Sequence, residues 1–232
     1  MSILICPVCG KPLNKENNTL KCTNSHSFDL SKDGYVNLLT GSKNGDKIGD
    51  SKQSARARRE LLNKGYYSCL KRYINGVMRG TVLDICCGEG YYDEYNGSLY
   101  AFDISKEMVR LASKRYKHNH YFVANLSSIP IMDSSIDTAI HLFAPFNEKE
   151  FSRVLKDDGV LYSVDGGENH LWELKQILYD TPYKNDEKPP QCDLLALVGK
   201  SKISDRVTVN REDLKTLFSM TPYFIIPATV IS

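Results

Sequence analysis

The stretch Val82-Leu83-Asp84-Ile85-Cys86-Cys87-Gly88-Glu89-Gly90-Tyr91-Tyr92 constrains the fold more than any other part of the 232-residue chain. Apolar, β-branched residues run into an acidic residue, two cysteines and then Gly-Glu-Gly. A buried strand that ends in a glycine turn opens a cleft at its carboxyl end, and open α/β sheets bind ligands there. Gly88 and Gly90 let the backbone approach a bound molecule where a Cβ would clash. The next apolar run, Ser98-Leu99-Tyr100-Ala101-Phe102, ends at Asp103. A carboxylate at the end of a second parallel strand is placed to accept hydrogen bonds from two ribose hydroxyls. The pair of strand ends predicts a nucleoside-containing cofactor. The glycine pair alone would fit an ordinary strand and turn, and no G-x-x-x-x-G-K-[ST] phosphate cradle follows it.

The rest of this region alternates strands and helices, which implies a doubly wound, mostly parallel sheet. Ser105 caps a helix through Tyr116, with Met108, Val109, Leu111 and Ala112 on its inner stripe. Tyr121 to Ala124 is a third strand. Asn125 at its end suits either an adenine edge or a plain turn. Ile136 to Phe143 is a fourth strand that leads into Phe143-Ala144-Pro145-Phe146. One of those two phenylalanines is expected in the core, and the other is expected to stack on a target base. Glu148 to Leu155 is a helix, Asp157-Asp158-Gly159 a turn, and Val160 to Val164 a fifth strand ending at Asp165. Leu171 to Tyr179 and Arg211 to Met220 read as helices, the latter capped by Asn210, and Val207 to Val209 as a strand.

Cys6-Pro7-Val8-Cys9 is followed by Cys22 and His26, a C-x2-C-x12-C-x3-H spacing. Two such pairs on tight knuckles complete a tetrahedron of three thiolates and an imidazole, the donor set of a structural zinc site. Lys11 to Lys21 reads as a short hairpin with Asn17-Asn18 near its tip. So small a segment cannot bury a core of its own, so the ion must supply much of its folding free energy. Seven cysteines, odd in number and partly clustered, suit metal better than a disulfide framework. A redox Cys-x-x-Cys would not need Cys22 and His26 at that distance.

Charge is uneven along the chain. Residues 1–72 hold 13 Lys and Arg against 6 Asp and Glu, and the remaining 160 hold 17 against 22. A positive first third on a mildly negative body predicts contact with a polyanion. Thr40 to Asp50 reads as an exposed loop. Ser51 to Lys64 reads as a helix, stopped by Gly65, that carries Arg56, Arg58 and Arg59. Those arginines suit phosphates, or simply a solvated face. No apolar run approaches the ~20 residues of a membrane span, and Met1 to Cys6 lacks the features of a signal peptide, so a cytoplasmic protein is expected. The expected organisation is a zinc ribbon over 1–39, a basic loop and helix over 40–72, and the α/β domain over 73–232.

These motifs together resemble the 23S ribosomal RNA guanine-N1 methyltransferase family, the RlmA-like enzymes. The likeness rests on the cysteine-histidine ribbon, Asp33-Gly34-Tyr35-Val36-Asn37-Leu38-Leu39, Ala57-Arg58-Arg59 and Gly88-Glu89-Gly90-Tyr91-Tyr92. It continues through Asp103-Ile104-Ser105-Lys106, Ala144-Pro145, His170-Leu171-Trp172-Glu173 and Met220-Thr221-Pro222. The resemblance implies a Rossmann-like, class I methyltransferase fold, S-adenosylmethionine (SAM), one zinc ion and a homodimer. It also implies methylation of a guanine in a domain II hairpin, with macrolide resistance in some members. By resemblance the zinc ligands are Cys6, Cys9, Cys22 and His26, and Tyr67, Gly88, Glu89 and His170 contact SAM. General SAM-fold logic adds Asp84, Gly90, Asp103 and Asn125, and the strand-end position of Asp165 suggests it as acceptor of the guanine N1 proton.

Three departures favour a competing expectation, a catalytically impaired zinc-ribbon RNA-binding protein with a degenerate methyltransferase fold. Cys86 stands where such folds usually place the first glycine of the turn. Only five residues separate Tyr92 from Ser98, so the first helix is cut to about one turn. The sequence ends soon after Met220-Thr221-Pro222, where the last strands of the sheet would follow, so a sheet shortened at that edge is expected.

Overall fold

The structure is a computed structural model that describes residues 2–40 and 52–219. The expected Thr40–Asp50 loop, apart from Thr40, and the Met220-Thr221-Pro222 motif lie outside the described residues. Strands β1 (Asn14–Glu16), β2 (Thr19–Lys21) and β3 (Ser27–Asp29) form an antiparallel ribbon, with Asn17 and Asn18 at the predicted tip. Asn17 turns the chain with φ 55°, a conformation that asparagine tolerates better than most residues. Strand β4 (Val36–Asn37) follows the turn at Asp33-Gly34.

A six-stranded, all-parallel sheet comes next. Its further strands are β5 (Thr81–Ile85), β6 (Ser98–Asp103), β7 (His120–Val123), β8 (Ile136–Leu142) and β9 (Leu155–Val164). They lie in the order β4-β7-β6-β5-β8-β9. The order reverses between β5 and β8, and such a switch point is where an open parallel sheet leaves a crevice for ligand. Nearly unbroken burial along β5, with Val82, Leu83 and Ile85 fully enclosed, is what a central parallel strand requires.

Helix α3 (Lys106–Arg115) crosses over after β6, with Ser105 Oγ accepting from the Met108 N–H as its cap. Between β5 and β6 there are only turns, so the first crossover helix, expected to be cut to about one turn, is reduced to turns. Helix α4 (Glu148–Val154) precedes β9. The turn expected at Asp157-Asp158-Gly159 is instead taken up inside β9. The register against β8 slips there, from Ile136 opposite Leu155 to Thr138 opposite Val160, so the extra residues bulge out without ending the strand. No strand follows β9 among the described residues. The strand expected at Val207–Val209 is irregular chain, since three β-branched residues without a neighbour to pair with cannot hold a strand.

The described residues divide into two compact units: 2–40 with 73–165 and 190–199, and 52–72 with 166–189 and 200–219. In the first, the ribbon shares its core with the sheet. Leu4, Leu13 and Leu20 join Leu83, Phe102, Phe122, Ile129 and Ile131 in one buried cluster. The backbone joins them too, through the Ile5 N–H to the Pro130 carbonyl at 3.0 Å and the Met132 N–H to the Ile3 carbonyl at 2.9 Å. In the second, helices α1 (Lys52–Asn63), α5 (Trp172–Leu178) and α6 (Arg211–Ser219) pack around Leu61, Leu174 and Leu217. Helix α2 (Ser68–Val77) is the remaining helix among the described residues. No described helix is long and apolar enough to cross a membrane.

Candidate functional site

The ribbon brings its four predicted ligands together. The Gly10 N–H closes the first knuckle on the Cys6 carbonyl at 2.8 Å, and the Ser25 N–H closes the second on the Cys22 carbonyl at 3.0 Å. Gly10 and Ser25 both take positive φ, which turns the backbone sharply enough to aim two donors inward. Cys9 Sγ lies 3.7 Å from Cys22 Sγ, and His26 Nδ1 lies 3.5 Å from the Sγ atoms of both Cys6 and Cys22. All four donor atoms fall within 4.8 Å of one another. A tetrahedron built on Zn–S of about 2.3 Å and Zn–N of about 2.0–2.1 Å has edges of roughly 3.8 and 3.5 Å. The cluster therefore fits zinc in donor chemistry and in size. The Lys11 N–H directed at Cys9 lowers that thiol's pKa, while burial raises that of Cys6.

At the carboxyl end of β5 the chain turns through Cys86 and Gly88, both left-handed, with φ 59° and 56°. The Gly88 N–H donates to Asp103 Oδ2 at 3.0 Å, and the Ser105 N–H to Asp103 Oδ1 at 2.8 Å. Strand register carries Ile85 opposite Phe102, so Asp103 and the turn meet by construction. A Cβ at Gly88 would meet nothing within 4 Å, so open space lies in front of the turn. The half-buried Asp103 carboxylate, fixed by these two backbone donors, stands beside that space. Open room before a glycine backbone and a fixed carboxylate at the next strand end fit an adenosine-bearing molecule. Gly90 does different work. A Cβ there would come within 2.8 Å of Asp93 Oδ2 and 3.0 Å of the Ala112 Cβ, so this glycine lets α3 and the turn close together. Cys86 is half-buried and packs against the shared core. Burial, with Asp103 and Asp84 near, pushes its thiol up to about 12, so it stays protonated and unreactive.

Two of the predicted carboxylates are buried beneath the turn. Asp84, 2% exposed, lies beside Asp93, and burial followed by that neighbour raises its pKa well above the usual carboxylate range. Tyr121 donates its hydroxyl to Asp93 Oδ2 at 2.9 Å, and Asn119 Nδ2 donates to the Asp93 carbonyl at 2.9 Å. Glu89 is buried with Arg115, whose guanidinium stands 3.3 Å from Glu89 Oε1 and 5.7 Å from the Tyr91 ring centroid. Asn125 is exposed at the end of β7. Its Oδ1 accepts from the Ser127 N–H at 3.0 Å, and with Pro7, Leu38 and Ser128 it lines a shallow cleft.

At the end of β8 the two phenylalanines separate. Phe146 is half-buried and sits edge-on to Phe151, with centroids 5.0 Å apart. Phe143 is 46% exposed and strained at φ 52°. Asp165 is exposed immediately after β9.

In the second unit, Tyr67 Oη lies 3.5 Å from His170 Nε2. Burial raises the pKa of Tyr67 and lowers that of His170. His170 precedes a helix entered through Leu171 at φ 56°, so it is not the capping residue itself. Arg56 and Arg59 are exposed on α1, and Arg58 is half-buried, close enough to act on Tyr67. Lys64 and Tyr66 both bond the Asp213 carboxylate, tying α1 to α6.

Asp93, Arg115, Asn119, Tyr121 and His141 escaped the reading from sequence. A histidine inside the apolar Ile136–Leu142 run was the one visible signal. The others act through tertiary pairs that no spacing encodes.

Comparison with known proteins matches two family descriptions, the RlmA N-terminal zinc ribbon over residues 4–44 and a methyltransferase domain over residues 83–163. The 23S rRNA (guanine(748)-N(1))-methyltransferase of Streptomyces fradiae is 29% identical over 241 residues, covering 94% of this chain and 84% of the relative. The Bacillus subtilis (strain 168) protein YxjB, named for 23S rRNA (guanine-N(1)-)-methyltransferase activity, is 34% identical over 202 residues, covering 78% and 71%. A similarly named protein of Micromonospora griseorubida is 29% identical over 254 residues, covering 94% and 85%.

Proposed function

Because the chain belongs to the 23S rRNA (guanine-N1)-methyltransferase family, we propose that it transfers a methyl group from SAM to N1 of a guanine in a domain II hairpin of 23S rRNA. The observation that carries this reading is the open space before Gly88 beside the fixed Asp103 carboxylate, at the switch point of a parallel sheet. Bound SAM supplies a methyl group already activated by its sulfonium. The protein's task is then placement, and holding two reactants in line can contribute ~7–11 kcal/mol.

In this proposal Gly88 lets the backbone approach the methionine part, Asp103 accepts from the ribose hydroxyls, and Asn125 meets the adenine edge. Tyr67, Glu89 and His170 enter as contacts by family likeness, and Asp84 and Gly90 support the turn from beneath. Asp165 takes the proton that leaves guanine N1. Cys6, Cys9, Cys22 and His26 hold zinc and so fix the ribbon, residues 1–39, as the arm that recognises RNA. Arg56, Arg58 and Arg59 reach phosphates. The acting form is a homodimer in the cytoplasm.

The test is methyl transfer from labelled SAM to rRNA purified from a strain lacking the gene, with the modified base mapped by mass. Stoichiometric SAM binding by calorimetry with N1-methylguanine in the product supports the assignment. Absence of SAM binding beside retained RNA binding would establish the non-catalytic alternative. An Asp165→Asn protein that methylates at the normal rate removes Asp165 from the mechanism and leaves the rest standing.

A further inference from the structure

Strand β8 neighbours β5 on the far side of the switch point, with His141 opposite Ile85. One residue further on, Leu142 stands level with Cys86, where the glycine turn begins. Phe143 is thus the first residue to emerge at the mouth of the crevice. It emerges in a conformation that a phenylalanine rarely adopts, φ 52°, although its N–H still donates to the Val164 carbonyl at 3.0 Å. Strain of this kind persists only where the surroundings enforce it.

The surroundings here are specific. His141, buried under the turn, faces the Pro145 carbonyl with Nε2 at 3.1 Å and Ser163 Oγ with Nδ1 at 2.9 Å. A carbonyl only accepts, so Nε2 carries the proton and Nδ1 accepts from the serine hydroxyl. Burial lowers the pKa of this histidine, which keeps it in that neutral form. Phe146 anchors the other end of the turn, its ring edge-on to His141 and Phe151. The turn is therefore clamped at both ends, and its one large exposed side chain is Phe143.

We propose that Phe143 is the stacking platform for the purine that is methylated, with the His141 clamp holding its ring at the crevice mouth. This rests on the methyltransferase reading above. A base must leave its helix to be methylated at N1, since that nitrogen is engaged in pairing. An extruded purine needs an aromatic face to replace the lost stack. The sequence offered Phe143 and Phe146 equally, and the greater exposure of Phe143 at the crevice mouth, against Phe146 partly buried on His141 and Phe151, assigns it the role.

The experiment compares Phe143→Gly, Phe143→Ala and Phe143→Trp with the wild-type protein, using rRNA from the deletion strain and labelled SAM. Glycine suits the left-handed backbone, so Phe143→Gly relieves strain while removing the ring, and it guards against a variant that merely misfolds. The expected result is a loss of about tenfold or more in kcat for the glycine and alanine variants. SAM affinity should stay within about twofold, thermal stability of the glycine variant should be equal or higher, and Phe143→Trp should keep most activity. A glycine variant at the wild-type rate overturns the stacking role and leaves the methyltransferase assignment intact. A rate loss that follows a matching loss of SAM affinity also overturns it, because the ring would then be a wall of the cofactor site. A wild-type protein that leaves rRNA unmethylated overturns both readings.

Discussion

In the ribbon, four donor atoms converge from knuckles twenty residues apart at most, and their separations match a tetrahedral ion's edges. In the glycine turn, Gly88 meets Asp103 because β5 and β6 lie in register, which needs the whole sheet in place. The first site is written into local spacing, and the second into tertiary order. The contrast also carries a dependence. The ribbon's Leu4, Cys6, Leu13 and Cys22 lie in the cluster that contains Ile85 and Phe102, so the locally encoded site is built into the support of the other.

The largest expected effect tests that dependence. Structural zinc sites contribute about 10–16 kcal/mol of apparent binding free energy to small folds. Stripping the metal with a strong chelator, or Cys22→Ser, should unfold the ribbon and expose the apolar face of Phe122, Ile129 and Ile131. Differential scanning calorimetry should then show the sheet's transition moving down with the ribbon's, in one step. A sheet transition that stays in place would make the ribbon an independent appendage and break the comparison.

The reverse perturbation should be smaller and one-sided. Asp103→Ala removes the acceptor for the Gly88 and Ser105 N–H groups. A hydrogen bond to a charged group is worth about 1.5–3 kcal/mol, so SAM affinity should fall by roughly 10- to 100-fold by calorimetric titration. Zinc content by atomic spectroscopy should not change. Loss of zinc in this variant would mean that the two sites depend on each other in both directions.

This difference also explains what was legible beforehand. Cys6, Cys9, Cys22 and His26 follow from counting residues, and the strand-turn at Val82–Tyr92 follows from the apolar run and its glycines. The roles of Gly88 and Gly90 looked the same in sequence. They separate only when Asp93, Ala112 and Tyr121 are seen crowding Gly90 while nothing crowds Gly88. Strand β9 begins five residues before the expected start because a bulge absorbs Asp157-Asp158-Gly159, and period-two alternation cannot register a residue that leaves the ladder. Asp84 is expected at the site from its place in the motif, and the structure buries it beside Asp93. Its partner Asp93 comes from the turn that replaces the missing helix, where no periodic signal exists.

That carboxylate pair gives the third test, of intermediate size. The folded protein holds a proton on Asp84 that the unfolded chain releases above about pH 3.9. The folded state thus binds more protons, so stability is fullest below that value and falls as pH rises through the window up to the raised folded value. Each pH unit within the window costs up to about 1.4 kcal/mol. Asp84→Asn should flatten the decline of melting temperature above about pH 4. An unchanged slope would mean that the turn's support does not depend on this proton, and the tertiary site would be simpler than the comparison makes it.

The smallest effect is at Cys86, where the two modes of construction meet in one residue. Its φ of 59° is a conformation that costs a non-glycine residue of order 1 kcal/mol, and its side chain recovers part of that by packing on the shared core. Cys86→Gly should therefore change stability by less than about 1 kcal/mol in either direction, because the strain relief and the lost packing nearly cancel. SAM affinity is the sharper readout. If the thiol lies against the core, removing it leaves the affinity within about threefold, and the departure from glycine is a packing substitution without functional consequence. If the thiol crowds the methionine end, affinity should rise by tenfold or more, since the glycine variant would then have the room that a glycine backbone gives a ligand. The half-buried thiol packed beside Ile85 favours the first outcome, and with it a turn that tolerates cysteine at its first position because the core behind it accepts the side chain.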